Sequence, residues 1–341
     1  MKARVNVKLN SIFNLTNIDD LIFDHFSNHD IEIVENSHPF YELTLERLPF
    51  LYCEDFTKGL DLFKIKEDEV LNFYNIDHKS IFTLLESWIP YGWSCFFAQR
   101  NEIPKNLTII HLDDHSDLMS PFISVDESKL WKDILTGCSI NIMEPESIKM
   151  AIESGAITLG SILTLLVFSV KNINIYHLKQ NVKTTLKYIK KDIEVDPIII
   201  PRQKKMSIKL LDDSYKYMAE NSKYLITSDV NKLIESVKDN YDIFLHIDMD
   251  FFNNRYNGST DFTNYHDPDI NHQKNIIKIF CDAIAQSDLI DRIVHISIGL
   301  SPSFYPSEYW HDSLAALIYE LKRNNFKIIP NIYIENRGNC E

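Results

Sequence analysis

The chain contains little glycine, no paired cysteines and no excess of positive charge. Eight glycines among 341 residues exclude collagen-like and linker-rich proteins. The five cysteines are scattered, with no CxxC pair, which predicts reduced thiols and a cytoplasmic location. A net charge of −14 argues against nucleic acid or an anionic membrane as partner, and it suits a cationic substrate.

Long apolar stretches are absent as well. No apolar segment follows the first residues as it would in a signal peptide. The most apolar stretch, residues 157–170, contains Thr158, Gly160, Ser161 and Thr164 and is too short to span a bilayer. The sequence therefore predicts a buried helix at this stretch and no membrane partner.

Short β-branched runs alternate with amphipathic helical segments from about residue 108 onward. We predict strands at residues 108–112, 173–176, 198–200, 243–247, 293–298 and 327–329. We predict helices at residues 145–154, 228–239, 273–286 and 308–324. This succession predicts an α/β domain with a mostly parallel sheet that is covered on both faces.

The first part of the chain has a different pattern. Residues 3–9 alternate between apolar and polar side chains, and residues 48–52 are rich in aromatic and apolar side chains. We predict that residues 1–70 form an N-terminal addition, which recognises a peptide or covers the sheet. The main domain is then expected to span residues 71–341.

A first acidic cluster directly follows the apolar run at residues 108–112. In parallel α/β sheets, functional sites are built at the carboxyl ends of the strands. If the chain stays extended there, Asp113, His115 and Asp117 point the same way because alternate residues of a strand share a face. Such a mixed set of nitrogen and oxygen ligands suits Mn²⁺, Fe²⁺, Co²⁺ or Zn²⁺.

A second acidic cluster repeats this arrangement. Asp248 and Asp250 follow the apolar run at residues 243–247, again at i and i+2. Unpaired, four buried carboxylates would repel each other, and their pKa values would rise. Two divalent cations would neutralise them and activate a shared water.

The two motifs together resemble those of the arginase-type ureohydrolases. The closer likeness is to the peptide arginases, which convert arginine side chains to ornithine in ribosomally made peptides. It rests on residues 111–118 and 246–252, with weaker support from residues 140–142, 155–157 and 298–302, and it covers residues 75–330. The resemblance implies the three-layer α/β/α fold of arginases and deacetylases, and two divalent ions, preferentially Mn²⁺. It also implies an arginine-containing precursor peptide as partner, with ornithine and urea as products.

The resemblance also implies a role for each acidic residue. Asp113 and Asp248 would bridge both ions, while His115 and Asp250 would complete one of them. Asp117 would help to hold the other ion and pass a proton to the leaving amine. The catalytic candidates are therefore Asp117 and His115.

One ligand of the arginase pattern is missing. The upstream Gly-Gly-Asp-His segment is absent, and residues 91–94 read Tyr-Gly-Trp-Ser instead. We predict His78, which follows a short apolar run, as the sixth ligand. His111 and His246 each precede a ligand aspartate by two residues, so they either orient the carboxylates or are hydrogen-bonded core histidines.

The substrate side is less defined by the sequence. A guanidinium is always charged and presents several donors, so its pocket needs acceptors. Asn141 and Glu308 are the substrate-binding candidates, with Asp261 and Asp267 as further possibilities. The segment at residues 253–266 is either a groove-lining loop or a solvated loop.

Three alternatives remain open at this stage. A deacetylase of the same fold would use one zinc ion, and another ureohydrolase or amidohydrolase would act on a small cationic substrate. A glycosyltransferase could use residues 248–250 as its metal–nucleotide motif, which would leave the first cluster unexplained. A non-catalytic relative would bind peptides through a degenerate site.

Overall fold

The computed structural model describes residues 2–8, 26, 29–37, 40–47, 56–126, 130–196, 198–200, 203–218, 222–258 and 266–332. Its strands are β1 (Lys2–Lys8), β2 (His29–Ser37), β3 (Phe40–Arg47), β4 (Tyr74–Ile76), β5 (Ser80–Thr83), β6 (Asn106–Leu112), β7 (Ile123–Val125), β8 (Trp131–Asp133), β9 (Ser139–Ile140), β10 (Asn172–Leu178), β11 (Thr185–Val195), β12 (Ile199–Ile200), β13 (Lys204–Leu211), β14 (Lys223–Thr227), β15 (Ile243–Asp248) and β16 (Ile293–Gly299). Its α-helices are α1 (Phe56–Leu60), α2 (Ile89–Arg100), α3 (Pro145–Glu153), α4 (Ile162–Ser169), α5 (Val230–Ser236), α6 (Ile270–Ala285) and α7 (Trp310–Arg323).

The large sheet has twelve strands, and its six central strands are parallel. Their order is β5-β16-β15-β6-β10-β14, and every neighbouring pair among them is parallel. Antiparallel strands extend the sheet on both sides, β4 beyond β5 and the series β11-β13-β7-β8-β9 beyond β14. The α/β class is therefore confirmed, with a mixed sheet that is parallel where the acidic clusters lie.

The central strands are rich in apolar residues because both of their faces are covered. In β6, Leu107 and Ile109 belong to one buried hydrophobic cluster, whereas Ile110 and Leu112 belong to a second. Helices α2, α3 and α4 contribute to the first cluster, and α5, α6 and α7 to the second. Alternate residues of one strand thus pack against different helices on opposite sides of the sheet.

A smaller antiparallel sheet contains the N-terminal strands in the order β12-β1-β3-β2. The predicted strand at residues 198–200 therefore does not join the large sheet, because β12 pairs with β1 instead. Phe26 stacks on Phe122 at 5.3 Å between ring centroids, and Leu43 and Leu45 are buried in the first hydrophobic cluster. The N-terminal strands thus share a core with the rest of the chain, while residues 48–52 lie outside the described residues.

The last predicted strand, residues 327–329, is not a strand. Phe326 and Ile328 are buried in the second hydrophobic cluster, so packing rather than strand pairing covers their apolar surface. The four predicted helices are present as α3, α5, α6 and α7, with somewhat different ends. In α5 and α6 the first turn is set by a capping aspartate, Asp229 and Asp269, whose carboxylate accepts from two main-chain N–H groups.

Two further findings concern the absences noted in the sequence. Cys95, Cys138 and Cys281 are free thiols. Within the described ranges, no helix has the length and apolar character that a membrane span requires.

Candidate metal centre

The acidic clusters meet at one edge of the large sheet. Strand β6 ends immediately before Asp113, and the neighbouring β15 ends on Asp248. Strand β5 lies one strand further along, beyond β16, and Glu86 follows its end after two residues. Because these strands are parallel, all three carboxylates reach the same carboxyl-terminal edge.

Three groups of side chains at this edge could each hold a metal ion, with ligand atoms within 4.8 Å of one another. The groups are Asp113, His115 and Asp250 (position one), Glu86, Asp113 and Asp248 (position two), and His111, Asp113, Asp117 and His246 (the inner group). Asp113 belongs to all three. The five ligands expected from the sequence are therefore brought together, and Asp113 has the most central place.

The first motif is bent rather than extended. Strand β6 ends at Leu112, and the main-chain N–H of His115 donates to Asp113 Oδ1 at 2.5 Å. Asp117 has a left-handed backbone with φ of 52°. The prediction that an extended chain brings Asp113, His115 and Asp117 onto one face is therefore wrong. The chain bends after Leu112, and this bend lets Asp113 and His115 contact each other.

The second motif is a strand end followed by a 3₁₀ turn, Met249–Phe251. Asp248 caps this turn, since its Oδ1 accepts from the main-chain N–H of Asp250 at 3.3 Å. Ser301 Oγ donates to the other oxygen, Oδ2, at 2.7 Å. Asp250 then faces the first motif, with Oδ2 at 2.9 Å from His115 Nδ1.

Burial and mutual repulsion make this site costly without a cation. Burial raises the pKa values of Glu86, Asp113, Asp117 and Asp248, and the charges of neighbouring carboxylates raise them further. Four buried carboxylate oxygens of the centre have no hydrogen-bond partner among the described residues: Glu86 Oε1, Asp113 Oδ2, Asp117 Oδ2 and Asp250 Oδ2. Buried acceptors without donors are the arrangement that divalent cations satisfy, so these residues fit metal ions.

His115 is the most accessible member of the centre, with 34% of its side chain exposed. Burial alone would lower its pKa, but the carboxylates of Asp250 and Asp113 raise it well above its usual range. The ring of Phe304 lies 4.7 Å from the imidazole, and Asn257 Oδ1 lies 3.2 Å from Nε2. The opening of the centre is therefore beside His115.

Glu86 is the residue that the sequence reasoning missed. It is 4% exposed, and it lies so close to Gly299 that a Cβ there would be 2.7 Å from Glu86 Cγ. Glycine at this position makes room for the glutamate. The signal was available, since Glu86 follows an apolar strand just as Asp113 and Asp248 do.

His78 is not at the centre. It is exposed in the turn before β5, which is the opposite end of that strand from Glu86. A residue that precedes a parallel strand lies at the amino edge of the sheet, away from the ligands. The prediction of His78 as the sixth ligand is therefore wrong. Glu86, rather than His78, belongs to one of the three groups of side chains that could hold a metal ion.

Three histidines lie side by side beneath the carboxylates. His177, His111 and His246 are in register on β10, β6 and β15. Burial lowers the pKa of His111 well below its usual range, that of His177 to about 4 and that of His246 to about 3, so all three are neutral near pH 7. His177 Nε2 contacts the main-chain oxygen of Asp113 at 2.9 Å, which helps to fix the position of that residue.

The expected substrate-binding residues have other partners. Asn141 follows β9, the last strand of the large sheet, and its side chain bonds to Met143 and Glu144 at the start of α3. Arg255 pairs with Glu308 Oε1 at 2.6 Å and with Asp267 Oδ2 at 2.9 Å. A guanidinium of the protein itself thus occupies both carboxylates, and Asp261 lies outside the described residues.

Comparison with known proteins identifies no family. No protein-family model and no curated protein matches this chain. The function is therefore argued from the site itself.

Removing the hydroxyl of Ser301 tests how the centre is held. We expect Ser301→Ala to weaken metal binding by roughly 10–100-fold, because Asp248 would lose the donor that orients it. Isothermal titration with Mn²⁺ measures this change. Ser303→Ala is the control, since Ser303 is equally buried in the same loop but belongs to none of the three groups. Unchanged affinity in Ser301→Ala would show that this bond does not position the carboxylate.

Proposed function

We propose that this protein is a dimetal hydrolase that cleaves the guanidinium of arginine side chains in a peptide, giving ornithine and urea. The observation that supports the proposal most is the convergence of buried carboxylates and His115 at the ends of neighbouring parallel strands. Helices on both faces of the sheet suit the arginase-like three-layer arrangement. The likeness of the two motifs to those of ureohydrolases supplies the reaction.

Two divalent ions, preferably Mn²⁺, would be held by the grouped side chains. His115 and Asp250 would hold one ion at position one, Glu86 and Asp248 the other at position two, and Asp113 would be shared. When bound, such a pair lowers the pKa of a shared water toward neutrality and polarises the bond under attack. The mixed nitrogen and oxygen donors suit Mn²⁺, Fe²⁺, Co²⁺ or Zn²⁺.

In the proposed reaction, the oxygen of one water bonds to the guanidinium carbon, and the bond from that carbon to the side-chain nitrogen breaks. We assign the proton transfer to Asp117, whose buried Oδ2 has no hydrogen-bond partner in the described structure. As a carboxylate, Asp117 would take a proton from water and return it to the leaving amine. His115 lies at the opening, where substrate would enter.

A cationic, extended substrate suits the chain for two reasons. The net charge of −14 attracts arginine-rich peptides. Among the described residues, the side chain of His115 is the part of the centre that solvent reaches, with 34% of it exposed, so a side chain on a longer peptide could approach there.

Mass spectrometry of arginine peptides incubated with Mn²⁺-loaded protein tests this proposal. We expect a loss of about 42 Da per modified arginine, the mass of CN₂H₂ removed from the guanidinium. A matched reaction with Asp117→Asn should show that loss slowed by roughly 10²–10³-fold, as for removal of one group that acts in the transition state. Free arginine and acetyl-lysine peptides are incubated with the protein in parallel, as substrates of the alternative reactions.

Each product points to one reaction. Urea from free arginine alone would restrict the substrate to the amino acid. Acetate from acetyl-lysine peptides, without urea, would favour the deacetylase alternative. Two bound ions with no product from any of these substrates would refute the proposed reaction.

A further inference from the structure

The inner group contains a chain of contacts that assigns the ring hydrogens of two histidines. His111 Nε2 lies 3.1 Å from the main-chain oxygen of His115, and His111 Nδ1 lies 2.8 Å from His246 Nδ1. A carbonyl oxygen only accepts, so His111 must carry its hydrogen on Nε2. Its Nδ1 is then a lone pair, and the hydrogen between the two rings belongs to His246.

His246 is left with a lone pair on Nε2. A neutral imidazole has one ring hydrogen, and His246 uses it on Nδ1 toward His111. Nε2 lies 3.1 Å from Glu86 Oε1, in an orientation that forms no hydrogen bond. Both residues are buried, with His246 fully inaccessible and Glu86 4% exposed. Once Glu86 is ionised, as a metal ligand must be, two buried acceptors face each other without a donor between them, which is costly unless a cation binds there.

The spacing of these atoms fits adjacent ligands of one ion. Bonds of about 2.0–2.2 Å at roughly right angles place neighbouring donor atoms about 3 Å apart. His246 also offers a ligand atom within 4.8 Å of those of Asp113 and Asp117. Asp113 is the residue that the inner group shares with position two, and Glu86 of position two lies 3.1 Å from His246 Nε2, so the ring of His246 borders that position.

We propose that His246 Nε2 is a ligand of the ion at position two, beside Glu86, and that His111 sets the tautomer this requires. The inference rests on the dimetal site of the proposed function, but not on the reaction. His246 on strand β15 thereby supplies the histidine ligand that the arginase pattern places upstream of the first motif. Each ion then has one imidazole, His115 at position one and His246 at position two.

Metal counting on a histidine variant tests the assignment. In His246→Gln we expect one ion per chain at concentrations that give two in the wild type, with the second ion bound at least about 10–100-fold more weakly. His295→Gln is the matched control. His295 is also fully buried, on the adjacent strand β16, and neither of its ring nitrogens has a hydrogen-bond partner in the described residues. It should keep both ions.

A direct measurement on the unaltered protein removes any dependence on how the variants fold. Protein labelled with ¹⁵N-histidine and loaded with ¹¹³Cd²⁺ should show cadmium coupling to two of its twelve histidines. The coupled pair should be His115 and His246. Coupling to His115 alone, or two ions of wild-type affinity in His246→Gln, would overturn the assignment.

Neither measurement uses a substrate. Two cadmium-coupled histidines together with no urea from any arginine substrate would therefore refute the reaction and leave the ligand in place. Urea release with only one cadmium-coupled histidine would support the reaction and refute His246 as a ligand.

Discussion

Replacing Asp113 with asparagine should remove the metal from both positions and abolish urea release. Asp113 belongs to each of the three groups of described side chains that could hold an ion, and it is fully buried. Asparagine has the same shape but lacks the negative charge that a divalent cation needs. We expect urea release to fall by at least roughly 10²–10³-fold, the effect of losing one charge-stabilising group in an active site. Elemental analysis and urea release measure the two effects.

The adjacent aspartate provides a closely matched control. Asp114 is partly exposed, lies 3.3 Å from Lys179 Nζ and belongs to none of the three groups. Asp114→Asn changes the charge by the same amount, one residue away, and should keep its metal content. If Asp113→Asn also binds two ions at wild-type affinity, Asp113 is not shared between the positions.

The metal-free protein should lose stability as the pH rises from 6.5 to 8, above the ordinary histidine pKa of 6.5, where the buried histidines no longer change the balance of protons. The folded-state pKa values of Glu86, Asp113, Asp117 and Asp248 lie above their ordinary values of 4.5 and 3.8. At any pH between the ordinary and the raised pKa values, the folded state therefore binds more protons than the unfolded state. Stability is fully present below the ordinary pKa values and is lost as the pH rises through the raised ones.

Metal ions should reverse this trend, because they bind deprotonated ligands. Each ion adds about 2.7 kcal/mol when its free concentration is about 100 times its Kd. Melting temperature shifts by roughly 2–4 °C per kcal/mol in domains of 150–250 residues. The rise in Tm on adding Mn²⁺ should therefore reach several degrees at pH 8 and be much smaller at pH 5. Differential scanning fluorimetry measures both curves.

A variant with one carboxylate fewer is the control for this experiment. Metal-free Asp117→Asn should depend less on pH than the metal-free wild type. Carboxyls with lowered pKa values, such as Asp239, titrate below their ordinary value of 3.8, outside this range. A metal-free protein whose stability rises from pH 6.5 to 8 would contradict the electrostatic account of the centre.

The sequence predicted the parts of the fold that depend on local pattern. Strand β6 is mostly apolar along its buried length, and helix α6 has a capping aspartate and a regular apolar face, so both follow from neighbouring residues. The strand at residues 199–200 was also expected, but not its partner. Its apolar residues suit either sheet, and pairing with β1 depends on contacts across almost 200 residues of sequence.

The candidate site was likewise predictable where it depends on local pattern and on parallel pairing of strands. Asp113 and Asp248 follow apolar strands, so their meeting at one edge follows from parallel pairing. Glu86 obeys the same rule but lacks a second acidic residue beside it, and the resemblance to ureohydrolases favoured a histidine, His78, instead. No local pattern could show that Gly299 makes room for Glu86, because two strands far apart in sequence create that contact.

Native mass spectrometry of the protein after loading with Mn²⁺ is the most direct test of the central claim. The account predicts two ions per chain, both lost in Asp113→Asn and both kept in Asp114→Asn. A single ion, no ion, or two ions that survive in Asp113→Asn would contradict a dimetal centre built on Asp113.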